Sequence, residues 1–147
     1  MKKDEMLQLA KNLLYKQPNM ASFLANAAAF LNEVLDDINW VGFYLYDGKN
    51  LTVGPFQGKV ACALIELGAG VCGTAALKQE TIVVKDVHAF DGHIACDANS
   101  QSEVVVPIIV NGMLFGVLDV DSPTIDRFDL KTVSFLEAFV ALMISLI

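Results

Sequence analysis

The side chains with the widest chemical reach in this 147-residue chain are its three cysteines, Cys62, Cys72 and Cys96. Nine residues separate the first pair and twenty-three the second, so the Cys-x-x-Cys spacing of structural zinc sites is missing. A metal site of three cysteines completed by His88 or His93 is one reading. The plainer one is that they are small core side chains, since free cysteine is among the most buried residue types. That role suits Cys62 and Cys72 better than Cys96, which lies in His93-Ile-Ala-Cys96-Asp97, a polar segment without apolar periodicity. A cysteine nucleophile acts as the thiolate and needs exposure, together with a positive group or aligned N–H donors, to lower its pKa. His93 is near enough in sequence to be considered, although both histidines can equally organise a loop through hydrogen bonds.

Three acids belong in the same inventory. Glu103, Asp119 and Asp121 each fall at or near the end of a predicted strand, and the two aspartates share a strand face because side chains alternate with period two. Such residues are either solvated strand ends or groups directed at a ligand.

The elements that position these groups follow from hydrophobic periodicity. From Asp4 to Tyr15, the apolar positions Met6, Leu7, Ala10, Leu13 and Leu14 recur at helical spacing, with Leu9 at the margin, and Ala21 to Leu35 continues in helical style. Asn39 to Tyr46 and Leu51 to Val53 read as strands joined by an Asp47-Gly48 hairpin turn. A short helix over Thr74 to Leu77 and a strand over Thr81 to Val84 come next, then a polar loop from Lys85 to Ser102, of a length that compact domains usually reserve for function. Glu103 to Val110 and Met113 to Val120 form a second hairpin through Asn111-Gly112. A final helix runs from Asp129 to Ile147, capped by Asp126 or Asp129. The pattern is α+β: one antiparallel sheet with the N- and C-terminal helices packed on one face, in a single domain spanning residues 1–147.

Composition excludes several partners. A net charge of -7 would repel a polyanion, so neither nucleic acid nor an anionic membrane is expected. The N-terminus lacks the apolar block of a secretory signal, and the 13 residues from Phe135 to Ile147 fall short of the roughly 18 to 20 that span a bilayer, which points to the cytoplasm. An odd cysteine count in a reducing compartment argues against a structural disulfide framework. Charged residues are only 18% of the chain against an ordinary value of about 25%, and both ends are apolar, so a homodimer joined through the terminal helices is expected.

Several motifs together carry a resemblance. Asn39-Trp-Val-Gly-Phe-Tyr-Leu45, Gly54-Pro-Phe-Gln-Gly-Lys59 with Ala61-Cys62, Gly70-Val-Cys-Gly73 and Asp86-Val-His88 are among them, followed by Gly92-His-Ile-Ala-Cys-Asp97, Ser102-Glu103, Val106-Pro-Ile108 and Gly116-Val-Leu-Asp-Val-Asp-Ser-Pro123. In register from about Asn39 to Phe128, the chain resembles the free methionine-R-sulfoxide reductases, which are stand-alone GAF domains. One departure is Asp91, where the family usually has proline; this frees a backbone φ angle in the loop carrying Cys96 but removes no functional group. The resemblance implies that Cys96 is the attacking thiolate and becomes a sulfenic acid as methionine leaves. Cys62 then resolves it as a disulfide that thioredoxin reduces, with Cys72 as the alternative partner. It also implies that Trp40 walls the substrate methyl group, and that Glu103, Asp119 and Asp121 are polar ligands and candidate proton donors, with no cofactor and no metal. The competing class is a non-catalytic GAF sensor for a cyclic nucleotide or similar small ligand.

Overall fold

The computed structural model describes residues 2–94 and 98–147. Two helices open the chain, α1 (Lys3–Leu14) and α2 (Met20–Val34), followed by β1 (Trp40–Tyr46), β2 (Asn50–Gly58) and β3 (Leu64–Glu66). Helix α3 (Gly70–Lys78) precedes β4 (Ile82–Val84), a 3-10 turn over Val87–Ala89, β5 (Ser102–Val110), β6 (Met113–Ser122) and α4 (Leu130–Leu146). The strands make one six-stranded sheet in the order β3-β2-β1-β6-β5-β4, antiparallel at every pairing.

Local chemistry sets the hairpins. The Asp47 carboxylate accepts the backbone N–H groups of Lys49 and Asn50 at 2.9 and 2.8 Å, which locks the β1–β2 turn. Asn111 and Gly112 take the positive φ values, 52° and 77°, that a type I′ turn demands of both central residues. The β1–β2 register shifts between Gly42 and Tyr44, leaving two residues, Gly54 and Pro55, opposite the single Phe43. A bulge is where a strand tolerates proline, since no ladder N–H is required there. Gly42 permits the close crossing beside it: a Cβ at this position would lie 2.2 Å from the Cβ of Phe56.

Strand alternation divides the sheet into two cores. Val41, Phe43, Val104, Val106, Ile108, Leu118 and Val120 face α1, α2 and α4, where Phe23, Leu31 and Phe139 close the larger core. Each fully buried side chain of this size stabilises the fold by about 1.5 to 3 kcal/mol relative to exposure. The opposite face presents Trp40, Tyr44, Val105 and Val117 to α3, whose Val71, Cys72, Ala75 and Ala76 pack down on it.

The expected antiparallel sheet with terminal helices on one face is the architecture observed, and several boundaries differ from expectation. Strand β2 continues past Val53 through the bulge, and β3 adds an edge strand. Helix α3 begins at Gly70 rather than Thr74, because glycine is needed inside it: a Cβ on Gly73 would stand 2.4 Å from the Glu66 carbonyl oxygen. Strand β6 runs two residues beyond Val120, which places Asp121 within the sheet. Asp129, and not Asp126, caps α4 by accepting the Thr132 N–H at 2.8 Å. On α1 only Ala10 and Leu14 are buried, whereas Leu13 is 52% exposed, because α2 and α4 cover a narrower stripe than the apolar pattern suggested.

Candidate active site

Register brings the singled-out residues into ranks on the α3 face. Trp40 pairs with Asp121, and Asp121 with Glu103, so these three lie side by side across β1, β6 and β5. The next rank on the same face is Gly42, Asp119 and Val105. The glycine at position 42 is required by the close approach of Phe56 across the bulge. Helix α3 roofs this surface and contributes Cys72.

The resulting pocket, a small cavity of about 40 Å³, is lined by Trp40, Tyr44, Cys72, Glu103, Asp119 and Asp121, with His93 and Ser100 at its margin. Trp40 stacks against Phe56 at 5.0 Å and Tyr44 at 5.8 Å between ring centroids, making an aromatic wall. Two hydrogen bonds tie that wall to the segment bearing Cys62. The Trp40 indole N–H donates to the Lys59 carbonyl and the Tyr44 hydroxyl to the Cys62 carbonyl, each at 3.1 Å.

The acids are buried rather than solvated, with Glu103 at 6%, Asp119 at 5% and Asp121 at 8% exposure. Burial is the main force raising the Glu103 carboxyl well above its ordinary range, reinforced by the charge of Asp119. Asp119 is raised by burial and then by Asp121. Desolvation therefore outranks mutual repulsion, and both favour a protonated carboxylic acid near neutral pH. One oxygen of Asp119, Oδ1, has no hydrogen-bond partner among the described residues. A buried acceptor left in this state is poised for a ligand.

The cysteines diverge. Cys72 is a buried free thiol whose Sγ lies 4.0 Å from Glu103 Oε2, and its pKa is raised by burial and by the neighbouring acids. It suits the core reading and makes a poor thiolate. Cys62 is partly buried, packs against the edge of the smaller core and takes part in a disulfide. Cys96, assigned by resemblance to the attack on sulfur, lies outside the described residues, as does Asp97. His93 Nε2 sits 3.8 Å from Glu103 Oε1, while partial burial and the nearby His88 lower its pKa. That lowering favours the neutral imidazole near neutral pH and weighs against His93 as the positive group considered for activating a thiolate.

Tyr44 was not among the expected pocket residues, although period two from Trp40 places it on the same face. Among the described residues, the ligating atoms of Cys72, Glu103 and Asp119 lie within 4.8 Å of one another, so this set could hold a metal, whereas the three-cysteine reading includes Cys96, which lies outside the described residues. No helix among the described residues is long and apolar enough to cross a membrane.

A curled antiparallel sheet roofed by a short helix over a polar pocket is the architecture of a ligand-binding GAF domain, and the GAF domain model matches residues 19–146. Over 116 residues, 79% of this chain and 70% of the relative, the sequence is 51% identical to the free methionine-R-sulfoxide reductase of Escherichia coli strain K12. The Saccharomyces cerevisiae protein of the same name is 43% identical over 148 residues, covering 95% of this chain and 82% of that one. The reduced form of fRMsr from Staphylococcus aureus superposes with a TM-score of 0.94 at 49% identity, covering 98% of this chain and 94% of that chain. The chain belongs to the free methionine-R-sulfoxide reductases, a GAF-domain family of oxidoreductases.

Proposed function

We propose that this chain reduces free L-methionine-(R)-S-oxide to L-methionine, acting as a single GAF domain. The observation that carries the reading is the buried acid set, with an unpartnered Asp119 oxygen, facing Trp40 across one small pocket. A sulfoxide oxygen is a poor leaving group until protonated, and carboxyls pushed upward by burial supply a proton near neutral pH. Trp40 bounds the methyl group, and those carboxylates that remain ionised face the substrate ammonium.

In this mechanism the Cys96 thiolate attacks the sulfoxide sulfur while an acid among Glu103, Asp119 and Asp121 protonates the oxygen. The hydroxyl then passes from the substrate sulfur to the Cys96 sulfur as the substrate S–O bond and the transient S–S bond break, the S–S electron pair staying on the departing methionine thioether, and Cys96 is left as a sulfenic acid. The Cys62 thiol displaces that oxygen as water, forming the Cys62–Cys96 disulfide, and two electrons from thioredoxin restore both thiols. The buried free thiol of Cys72 and the disulfide-bonded state of Cys62 favour Cys62 over Cys72 as the resolving residue. The reaction belongs in the cytoplasm, where thioredoxin maintains thiols.

Assembly is proposed to be a homodimer joined through the terminal helices, supported by Leu9 and Leu13 on α1 and Tyr15 at its C-cap, exposed by 39%, 52% and 59%. Light scattering at micromolar concentration should return twice the 15.9 kDa chain mass, and a monomer mass alone would refute it.

Incubation with racemic methionine sulfoxide and dithiothreitol, followed by chiral amino-acid analysis, tests the function. Disappearance of the R epimer with matching release of methionine is expected. Binding without conversion would favour a non-catalytic sensor.

A further inference from the structure

The acid pocket also has the makings of a cation site, built partly from the carboxyls that the proposed reduction uses. Cys72 Sγ, a carboxylate oxygen of Glu103 and one of Asp119 lie within 4.8 Å of one another. They come from α3, β5 and β6, so the backbone around each is fixed by the framework of the fold. In a tetrahedral site with metal–oxygen bonds of about 2.0 Å and a metal–sulfur bond of about 2.3 Å, such ligands stand about 3.3 to 3.6 Å apart. Small side-chain rotations toward a common centre are enough to reach that spacing.

A second observation points the same way. Asp119, 5% exposed, lines this cavity and carries a buried oxygen, Oδ1, without a hydrogen-bond partner among the described residues. We propose that Cys72, Glu103 and Asp119 form a binding site for one thiophilic divalent cation of the zinc and cobalt(II) type, with the fourth position open to the cavity.

Charge and softness select the ion. Three acids and a thiol crowd one buried space, where burial and then neighbouring carboxylate charge raise the proton affinity of Cys72, Glu103 and Asp119. A dication offsets that repulsion, and on binding the thiol proton and any protons on the two ligating carboxyls pass to solvent. Thiolate ligation favours zinc and cobalt over magnesium and calcium, which prefer all-oxygen sites. Asp121 on the same face and His93, 3.8 Å from Glu103, can support the ligands from outside. If the proposed function holds, the ion and the substrate ammonium compete for the same carboxylates, which makes zinc an inhibitor. Binding itself does not depend on that reading.

Titration of the reduced protein with cobalt(II) under anaerobic conditions tests the site. One ion per chain should bind with a thiolate-to-cobalt charge-transfer band in the near ultraviolet. Zinc should abolish the band, and a thousandfold excess of magnesium or calcium should leave it intact. Cys72→Ser should remove the band, Cys62→Ser should retain it, and the near-isosteric Asp119→Asn should weaken binding by at least about tenfold. Absence of a saturable band, its survival in Cys72→Ser, displacement by magnesium, or unchanged affinity in Asp119→Asn would overturn the proposal. Absorbance needs no turnover, so cobalt binding by a protein that reduces no sulfoxide would defeat the proposed function alone.

Discussion

Replacing Asp119 with asparagine should change stability in a direction set by pH. Asp119 is 5% exposed, and its carboxyl is held well above its ordinary value of 3.8 by burial and then by Asp121. Since the folded protein binds this proton more tightly than the unfolded chain, the associated stability is complete at pH values below the ordinary carboxylate range. It is lost as pH rises toward the folded pKa. The loss is at most about 1.4 kcal/mol for each pH unit crossed in that window, hence up to about 2.7 kcal/mol between pH 5 and pH 7. Asparagine carries no titrating proton, and its removal of one acid also relieves Glu103, which Asp119 pushes upward. The variant should therefore gain on the wild type steadily as pH rises, starting from a small difference near pH 5. Urea denaturation of the ligand-free protein at pH 5, 6, 7 and 8 measures this, because groups that titrate identically in both proteins cancel. A difference that stays constant across the series, or a variant that falls further behind at high pH, would refute the reasoning.

Two further outcomes concern specificity and the loop beside the pocket. Blocking the substrate nitrogen removes a charge that the buried acids would face, and losing one charge-assisted contact costs about 1.5 to 3 kcal/mol. N-acetylmethionine-R-sulfoxide should thus show at least roughly a tenfold lower kcat/KM than the free amino acid, and equal values would count against the pocket assignment. Tyr44→Phe deletes the 3.1 Å hydrogen bond to the Cys62 carbonyl. At about 1 kcal/mol it should slow disulfide closure roughly fivefold after an unchanged burst of methionine. Rapid-quench thiol labelling separates the two steps, and equal closure rates would leave that hydrogen bond without a positioning role.

What could be read from the sequence was mainly what is local. Asp47-Gly48 and Asn111-Gly112 declare their hairpins because two residues contain all the turn chemistry needed, and the apolar stripe of α4 declares its helix. The start of α3 was hidden because Gly70 and Gly73 weaken helix propensity and are tolerated only for the close approach to Glu66, a contact made by folding. Strand β2 seemed to end at Val53 because Gly54-Pro55 hides a bulge. Trp40, Glu103, Asp119 and Asp121 were correctly placed on one surface by resemblance and alternation. Their depth was not legible, since the roof formed by α3 is a long-range contact, and depth is what raises the carboxyls. The same roof explains why Cys72, a member of the smaller core, also sits beside Glu103.

In the proposed mechanism Cys96 and Cys62 exchange electrons with the sulfoxide while Cys72 stays reduced. Fully reduced protein should be mixed with one equivalent of free methionine-R-sulfoxide in the absence of a reductant, quenched with an alkylating reagent under denaturing conditions, and mapped by peptide mass spectrometry. The account predicts one methionine released per chain, a Cys62–Cys96 disulfide and a single alkylated thiol at Cys72. Three alkylated cysteines alongside released methionine, or a disulfide containing Cys72 with Cys62 free, would contradict it.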